Sequence, residues 1–463
     1  MATQPPSVME HIISLCKRRG FVFPGSEIYG GLANSWDYGP LGVELKNNIR
    51  DHWWKRFVHS RPDVVGFDSS IFLNSKVWEA SGHVSNFNDP LVDCRACKNR
   101  FRADHLVENG LHEPVVGLSN ADLTTLIQTH LKCPVCGKKD FTEVRKFSLL
   151  FETQIGVVSG DKNKVYLRGE TAQGIFINFK NILNSSHVGL PFGVAQVGKA
   201  FRNEITPGNF IFRTLEFEQM ELEYFVYPKQ ADQAFEDWLE AIHAWLLDLG
   251  IRPELLHRHE IEKEALAHYA KRNVDIEFDF PFGQKELYGL AYRTDFDLKN
   301  HMEKSGQDLT VLDPETNQKV IPHVIEPAVG LTRTLLAVLT SAYTEESVPD
   351  AKGEDSTRVV LKLHPKIAPF KAAVLPLSKK EELQAVAQPL YQELIKSFAC
   401  EYDQTQSIGK RYRRQDEIGT PYCITVDFES INDKAVTIRD RDTMQQVRIP
   451  IVQVEQYIKD KLS

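Results

Sequence analysis

The chain has 463 residues, with 55 lysines and arginines against 63 acidic residues and a formal net charge of −8. Its 42% hydrophobic content is enough for two or three domains with their own cores. No apolar run reaches membrane-spanning length and the first twenty residues lack a secretory signal, so we expect a soluble, cytosolic protein. The acidic balance argues against broad nucleic-acid affinity but permits a local basic face.

The first ninety residues predict two helices and a strand around a glycine-rich loop. Residues 8–20 have the pattern of a short amphipathic helix, and residues 41–58 that of a longer one, with Pro40 suited to its first turn. Residues 64–72 predict a strand, and His83 has no evident role. The apolar face of the helix at 41–58 is equally typical of a helix that packs on the core of its own domain.

Residues 91–165 contain two cysteine pairs and one helical stretch near 118–131. The pairs Cys94-x-x-Cys97 and Cys133-x-x-Cys136 have the spacing that closes a tetrahedral structural Zn²⁺ site. Their separation exceeds that of compact zinc ribbons, so four reduced, buried cysteines are the alternative. We interpret this segment as an insertion.

The most informative stretch runs from residue 192 to residue 228. Two β-rich runs, 192–201 and 210–226, flank the break Thr206-Pro207-Gly208-Asn209 and predict an antiparallel hairpin. Alternation places on one face Arg213, Leu215, Phe217, Gln219 and Glu221. This mixture of charges and an aromatic suits a ligand with phosphates and an amine, although charged strand faces are commonly just solvated.

The remaining chain continues with mixed elements. Residues 230–272 predict helices, 275–280 a strand, 304–320 an exposed hairpin, and 321–340 a strand followed by an apolar helix. An acidic linker is predicted at 343–360, and alternating strands and helices after it predict a small α/β domain. The basic run Lys410, Arg411, Tyr412 and Arg413 is a candidate RNA contact, or else a solvated helix face.

Several of these patterns resemble class II aminoacyl-tRNA synthetases. Phe-Arg-x-Glu at 201–204, followed by a loop and Arg-x-x-x-Phe at 213–217, resembles motif 2, and residues 321–340 resemble motif 3. The helix at 41–58 beside its strand resembles motif 1, which implies a homodimer. The stretch GFVFPGSEIYGGLANSWDYGPLG at 20–42 resembles glycyl-tRNA synthetases of the dimeric bacterial/eukaryotic-like type. Residues 407–422 resemble a class IIa anticodon-binding domain.

The resemblance implies an ATP site. Arg202 would grip the α-phosphate, Phe217 would stack on adenine, Arg333 would bind the γ-phosphate and Glu286 would hold Mg²⁺. A guanidinium presents a planar fork to phosphate oxygens and stays charged, which suits the two arginines to this task. Further implied ATP contacts are Asn203, Glu204, Phe212, Arg213, Leu287 and Gly330.

The resemblance also implies a glycine site. Glu170, Glu221 and Glu326 would hold the ammonium, and Arg293 would reach the activated amino acid. Further implied glycine contacts are Arg100, Phe217, Gln219 and Gly330. One departure is Ala328, which stands where the family commonly has serine, so one hydroxyl contact to glycine is absent.

The expected fold is an α/β (α+β) class II antiparallel sheet flanked by helices, with a C-terminal mixed α/β domain. The predicted division is catalytic residues 1–90 and 166–342, insertion 91–165, linker 343–360 and anticodon-binding domain 361–463. The resemblance implies a glycine–tRNA ligase that uses ATP and Mg²⁺ to join glycine to tRNA(Gly). The alternatives are a synthetase for another small amino acid, a non-catalytic protein on this fold and a zinc-dependent RNA-binding protein.

Overall fold

The computed structural model describes residues 7–112, 115, 117–156, 164–349 and 355–462. Two local signals show how helix ends are set. The first helix begins after Ser7, whose side chain accepts a hydrogen bond from the Glu10 amide, and ends at Gly20 in the left-handed region. The α-helices are α1 (Val8–Arg19), α2 (Pro40–Trp54), α3 (Ser75–Ala80), α4 (His83–Asn86), α5 (Ala103–Leu111), α6 (Asn120–His130), α7 (Ala172–Ser185), α8 (Ala231–Asp248), α9 (Phe296–Ser305), α10 (Leu331–Ala342), α11 (Glu381–Leu394), α12 (Ile408–Ile418), α13 (Ser430–Asp433) and α14 (Val454–Leu462).

The strands form several sheets of different sizes. They are β1 (Val22–Pro24), β2 (Trp36–Tyr38), β3 (Val64–Gly66), β4 (Phe72–Leu73), β5 (Asn88–Asp93), β6 (Arg100–Arg102), β7 (Arg145–Ser148), β8 (Glu152–Gln154), β9 (Lys164–Leu167), β10 (Phe192–Phe201), β11 (Glu216–Val226), β12 (Leu256–Glu260), β13 (Arg272–Phe280), β14 (Gly283–Thr294), β15 (Val311–Leu312), β16 (Lys319–Val320), β17 (His323–Gly330), β18 (Tyr343–Pro349), β19 (Asp355–Leu361), β20 (Ala372–Pro376), β21 (Cys400–Tyr402), β22 (Tyr422–Val426), β23 (Ala435–Asp440) and β24 (Gln446–Pro450).

The largest sheet has seven strands in the order β12-β13-β14-β17-β11-β10-β3. All its neighbours are antiparallel except β10 and β3, which confirms the predicted antiparallel sheet flanked by helices. On one face, Met220, Leu222 and Ile325 join the main core with α2, α8 and α10. On the other face, α7 and α9 cover one end around Phe225, and the opposite end remains open as a cavity.

The predicted hairpin is confirmed in its pairing but not in its length. β10 pairs with β11 from Phe192↔Phe225 to Phe201↔Glu216. The second strand therefore begins at Glu216 and not at Phe210, because residues 210–212 form a helical turn buried in the core. The Phe212 ring packs on the rings of Phe280 and Phe282 at 5.1 and 5.2 Å, a tertiary contact that outweighs local β propensity.

Three other predicted elements differ from the structure. The strand expected at 64–72 is two short strands, β3 and β4, which belong to different sheets. Of the helices expected over 230–272, the structure has α8 and two short helical turns, Pro253–Leu255 and Lys263–Ala265, with the strand β12 between the turns. The segment 343–360, expected as a linker, contains the antiparallel strands β18 and β19. Arg358 of β19 is fully buried and pairs with Asp416 of α12 at 2.8 Å, which orders the segment.

The C-terminal residues form a five-stranded sheet in the order β21-β20-β22-β23-β24. β20 is parallel to β21 and β22, and β23 and β24 are antiparallel, which confirms a mixed α/β domain. α11 and α14 pack on one face, and α12 packs on the other through Tyr412. None of the described helices is long and apolar enough to cross a membrane. The residue boundaries drawn between domains stay predictions.

Candidate active site

The open end of the central sheet forms a cavity of about 280 Å³. Its floor is the face of β11, β14 and β17 opposite the main core, so period-two alternation decides which side chains reach it. The cavity brings together most residues that the sequence singled out, from segments far apart in the chain. They are Glu170, Arg202, Glu204, Phe212, Arg213, Phe217, Gln219, Glu221, Glu286, Glu326, Gly330 and Arg333.

Arg202 lines the cavity between two aromatic rings. Its guanidinium carbon is 5.1 Å from the Phe87 ring centroid and 5.3 Å from that of Phe217. The Arg202 Nε donates to the Gly169 carbonyl at 3.1 Å. These contacts fix the plane of the guanidinium while its remaining N–H groups stay available for an anion.

Arg333 lies in the first turn of α10, as predicted. Its guanidinium is 4.6 Å from the Phe212 ring centroid and 3.1 Å from the Glu286 carboxylate. Arg333 lowers the pKa of Glu286. Asp275, which the sequence did not single out, also lines this region. Burial, together with nearby Glu286, raises the pKa of Asp275 to about 7.

The other end of the cavity is acidic, with Glu170, Glu221 and Glu326 each less than a tenth exposed. Glu221 accepts hydrogen bonds from the Thr171 amide at 2.8 Å, from the Thr171 hydroxyl and from the Gln219 amide at 2.6 Å. These donors orient the carboxylate towards the cavity. Burial and nearby Glu170 nevertheless raise the pKa of Glu221.

Glu170 and Glu326 are held by different partners. Glu170 lies 3.2 Å from the His83 Nε2 and accepts from the Gln173 amide at 3.0 Å. Burial disfavours its ionised form, but His83, Arg293 and Gln173 together outweigh that effect and lower the pKa of Glu170. Glu326 accepts from Arg293, whose Nη1 is 2.9 Å from both of its oxygens. Burial still raises the pKa of Glu326.

Arg293 lies beneath the cavity wall and does not line it. Its Nε and Nη2 donate to Asp297 at 2.7 and 2.9 Å, and its guanidinium carbon is 3.8 Å from the Tyr269 ring centroid. Since it is only 1% exposed, Arg293 orients Glu326 from behind, whereas the sequence analysis expected it to reach the ligand directly.

Three further predicted residues do not line the cavity. The Arg100 side chain is two-thirds exposed on β6 and lies 3.4 Å from Asp93, because β6 belongs to the insertion sheet. Asn203 donates through its backbone to the Leu149 carbonyl. The Leu287 side chain faces the main core at 1% exposure, since it alternates with Glu286 along β14.

Residues that the sequence analysis missed complete the acidic end. His83, Thr171 and Gln173 contact the carboxylates directly, and Asp297 holds both Gln173 and Arg293. Thr171 and Gln173 belong to residues 167–174, which resemble the amino-acid-recognition loop before motif 2 of the family, but only Glu170 of that stretch was assigned a role. The signal available for His83 was its position in the stretch that resembles the family, with no partner evident.

The four paired cysteines meet in the insertion. The Cys94–Cys136 and Cys97–Cys133 sulfur distances are 3.7 and 3.6 Å, and all four sulfurs lie within 4.8 Å of one another. A tetrahedral ion with Zn–S bonds near 2.3 Å separates its ligand sulfurs by about 3.8 Å. The geometry therefore fits a closed four-thiolate site.

The basic run in the C-terminal domain divides between surface and core. Lys410 is exposed at the start of α12, and Arg413 is partly exposed. Arg411 is 1% exposed and donates to the carbonyls of Pro376, Leu377 and Asp403, so it is a structural residue and not an RNA contact. The Tyr412 hydroxyl pairs with Thr425.

Comparisons with known proteins agree with this architecture. Residues 151–342 match a family described as tRNA synthetase class II core domain (G, H, P, S and T), and residues 371–461 match an anticodon binding domain. A solved prolyl-tRNA synthetase from Cryptosporidium parvum shares the fold, with a TM-score of 0.66 and 15% identity over 100% of this chain and 77% of that one.

Close relatives span the whole chain. A glycine–tRNA ligase from Caldanaerobacter subterraneus is 56% identical over 98% of both chains. One from Geobacillus kaustophilus is 56% identical over 98% of this chain and 99% of its own, and one from Clostridium acetobutylicum is 56% identical over 98% of both. This chain belongs to the glycine–tRNA ligase family of class II aminoacyl-tRNA synthetases.

Proposed function

We propose that this protein activates glycine with ATP to glycyl-adenylate and transfers the glycyl group to the 3′ end of tRNA(Gly). The observation that carries the proposal is the division of one cavity into two ends. Phe217 and Arg333 line one end and Glu221 and Glu326 the other, and the charge of Arg202 acts on both Glu221 and Glu286. This arrangement suits a triphosphate and a purine beside an ammonium group.

At the nucleotide end, Arg202 contacts the α-phosphate, the ring of Phe217 stacks on adenine, and Arg333 contacts the γ-phosphate. Glu204, Phe212, Arg213 and Gly330 line the same end and are the further contacts. Glu286 holds Mg²⁺, with Asp275 beside it, because hard oxygen ligands suit this ion. When bound, Mg²⁺ neutralises charge on the phosphates.

Adenylation requires in-line attack of the glycine carboxylate on the α-phosphorus, with pyrophosphate as the leaving group. The attacking carboxylate is already ionised, so no protein base is needed. The chain contributes position and charge: Arg202 stabilises charge that develops at the α-phosphate, and Glu221 and Glu326 fix the ammonium. The adenylate carbonyl is then attacked by the terminal ribose hydroxyl of tRNA.

Selection of glycine follows from what fills the acidic end. Glu170, Glu221 and Glu326 converge there, and the sheet floor between them carries only the small residues Ala291 and Ala328. A pocket gains little binding energy from the absence of a methyl group, so it cannot select glycine by attraction alone. A pocket with no room for a side chain excludes every larger amino acid by steric clash. A side chain on the amino acid would displace one of the carboxylates from the ammonium.

Amino-acid-dependent ATP–pyrophosphate exchange tests this assignment. We expect exchange with glycine and not with alanine, serine or threonine, and we expect Arg202→Ala and Glu221→Ala to abolish it. Arg258→Ala is the matched control, because Arg258 is an exposed arginine paired with Glu240 far from the cavity. Exchange with none of the four amino acids would refute an autonomous adenylation site.

We also propose that Cys94, Cys97, Cys133 and Cys136 hold a structural Zn²⁺. The support is their sulfur geometry, which leaves no open position for chemistry. One equivalent of zinc per chain in the purified protein, lost in Cys136→Ser, would support the proposal. A metal-free protein with four titratable thiols would refute it.

A homodimer is the proposed assembly. Ile28 and Tyr29 are each 88% exposed and Leu32 is 61% exposed, all in the glycine-rich loop that resembles the family. Large apolar side chains grouped on a surface suit burial against a second copy. Sedimentation equilibrium should give twice the chain mass, and Tyr29→Asp should shift it towards the monomer.

Lys410, Tyr412 and Arg413 remain the proposed tRNA anticodon contacts.

A further inference from the structure

Glu223 is a further carboxylate near the acidic end that the proposed mechanism does not use. It is 0% exposed, and neither of its side-chain oxygens has a hydrogen-bond partner. An isolated buried carboxylate costs so much free energy that such groups pair or take up a proton instead. Glu223 is therefore expected to pair with a neighbouring group or to carry a proton.

The register of the sheet places Glu223 beside Glu326. β11 pairs with β17 at Glu221↔Ala328 and at Tyr224↔Ile325, so Glu223 lies directly opposite Glu326 between these pairs. Opposed residues in antiparallel strands have Cβ atoms about 5 Å apart. Two carboxylates that close cannot both be ionised in a dry interior, and they can hydrogen-bond to each other only if one carries a proton.

The charged groups around this pair do not balance it. Glu223 faces Val194 across β10, which offers no charge. Its electrostatic neighbours are Glu326 on β17, Arg293 on β14, Asp297 at the start of α9 and Glu221 on its own strand. Arg293 is already bonded to Asp297 and Glu326, so three neighbouring carboxylates surround Glu223 with no free cation among these groups.

The two members of the pair differ in their partners. Glu326 receives two hydrogen bonds from Arg293, whereas Glu223 receives none. A single proton shared by the pair is therefore held more stably on Glu223. Burial raises the pKa of Glu223 well above its ordinary value, and Glu326 raises it further, which agrees with this direction.

We infer that Glu223 is a protonated carboxyl that donates to Glu326 and so positions that carboxylate for the ammonium of the amino acid. This inference rests on the proposed function of the cavity. It makes Glu223 a positioning residue that limits the negative charge of the acidic end. It also keeps Glu326 oriented from two sides, by Arg293 and by the Glu223 hydroxyl.

Infrared difference spectroscopy tests the protonation directly. The spectrum of the wild type minus that of Glu223→Gln at pH 7, both in the absence of substrates, should contain the carbonyl stretch of a protonated carboxylic acid. Glu240→Gln, an exposed carboxylate of α8 paired with Arg258, is the control and should give no such band. Should Glu223→Gln fail to fold, the wild type labelled with ¹³C-glutamate must still show a shifted acid carbonyl band, and its absence refutes the inference.

The pH dependence of the free energy of unfolding is a second test, because it would not change if Glu223 were ionised and only filled space. An acid with a raised folded-state pKa loses its stabilising contribution as pH rises from its unfolded value, about 4.3, to its folded value. The unfolding equilibrium constant of the wild type should therefore rise relative to that of Glu223→Gln, by up to tenfold per pH unit. Parallel curves between pH 6 and pH 9 would show that Glu223 is ionised throughout.

Steady-state kinetics separates positioning from charge. Glu326→Gln removes a charge that faces the ammonium, whereas Glu223→Gln replaces a neutral acid with a neutral amide. The KM for glycine in the exchange assay should rise at least about tenfold less in Glu223→Gln than in Glu326→Gln, a difference near 1.4 kcal/mol. Equal increases would make Glu223 a charged ligand. The infrared and stability measurements do not require exchange activity, so they stand even if the proposed function fails.

Discussion

The hydroxyl of Thr171 offers a sharp test of how the acidic end works. Thr171 is fully buried at the start of α7, and its hydroxyl and amide both donate to one oxygen of Glu221. In Thr171→Val the hydroxyl is replaced by a methyl group of similar size, while the 2.8 Å amide bond remains. The change therefore removes one of three donors to this carboxylate.

The size of the effect follows from the charge of the acceptor. A hydrogen bond to an ionised group contributes about 1.5–3 kcal/mol. Since about 1.4 kcal/mol corresponds to a factor of ten, kcat/KM for glycine should fall by roughly 10- to 100-fold. The KM for ATP should change by less than about threefold, because Thr171 lies at the opposite end from Arg333 and the expected loss is confined to ammonium binding.

The effect should also depend on pH in a defined direction. Burial and Glu170 raise the pKa of Glu221, and the Thr171 hydrogen bonds lower it. Removing the hydroxyl therefore raises that pKa further. Ammonium binding requires the ionised form, so the loss in kcat/KM should grow as pH falls and shrink as pH rises.

ATP–pyrophosphate exchange between pH 6 and pH 9 measures both effects. Thr340→Val is the matched control, because its buried hydroxyl donates to the neutral carbonyl of Leu336 within α10. The reasoning is refuted if both variants lose the same activity. A loss in Thr171→Val that is independent of pH, or that appears equally in the KM for ATP, would also contradict it.

Three further outcomes are expected. Asp416→Asn removes the carboxylate that pairs with the buried guanidinium groups of Arg358 and Arg439. It should lower the free energy of unfolding of the C-terminal domain in urea by about 3–5 kcal/mol, because two buried charges lose their partner. Asp442→Asn, at a half-exposed carboxylate, is the control and should lower it by less than about 1 kcal/mol. Cys133→Ser should release the zinc and abolish hydrogen-exchange protection in the insertion helices, and unchanged protection would show that the metal is not structural. Arg411→Met should lower thermal stability, whereas Lys410→Ala should raise only the KM for tRNA(Gly); the reverse pattern would contradict the buried placement of Arg411.

Chemical types and local periodicity were readable without coordinates. The alternation through residues 216–226 predicted which side chains of β11 share a face, and the structure confirms Phe217, Gln219 and Glu221 on the cavity floor. The cysteine spacing predicted a four-sulfur cluster that the structure brings together. These predictions succeed because period two and knuckle geometry are properties of short segments.

The prediction of secondary structure from sequence was wrong for segments in which contacts with distant residues outweigh local conformational preference. The acidic stretch at 343–360 resembled a linker, yet Arg358 is buried against Asp416 of α12, and residues 343–349 pair with residues 355–361 as strands. Phe210 to Phe212 have strand propensity but turn into the core, where Phe212 meets two other phenylalanines. Neither partner can be identified from the segment itself.

The sequence alone supplied two cysteine pairs and, through its resemblance to a known family, indicated a class II synthetase architecture and the acids and arginines proposed for its site. The tertiary structure alone decided which of those residues act together: that His83 meets Glu170, that Arg293 lies behind Glu326, and that Glu223 is set opposite Glu326. The reason is physical. A side chain's chemistry belongs to its residue, but its charge state and orientation depend on neighbours that only strand register and helix packing bring close.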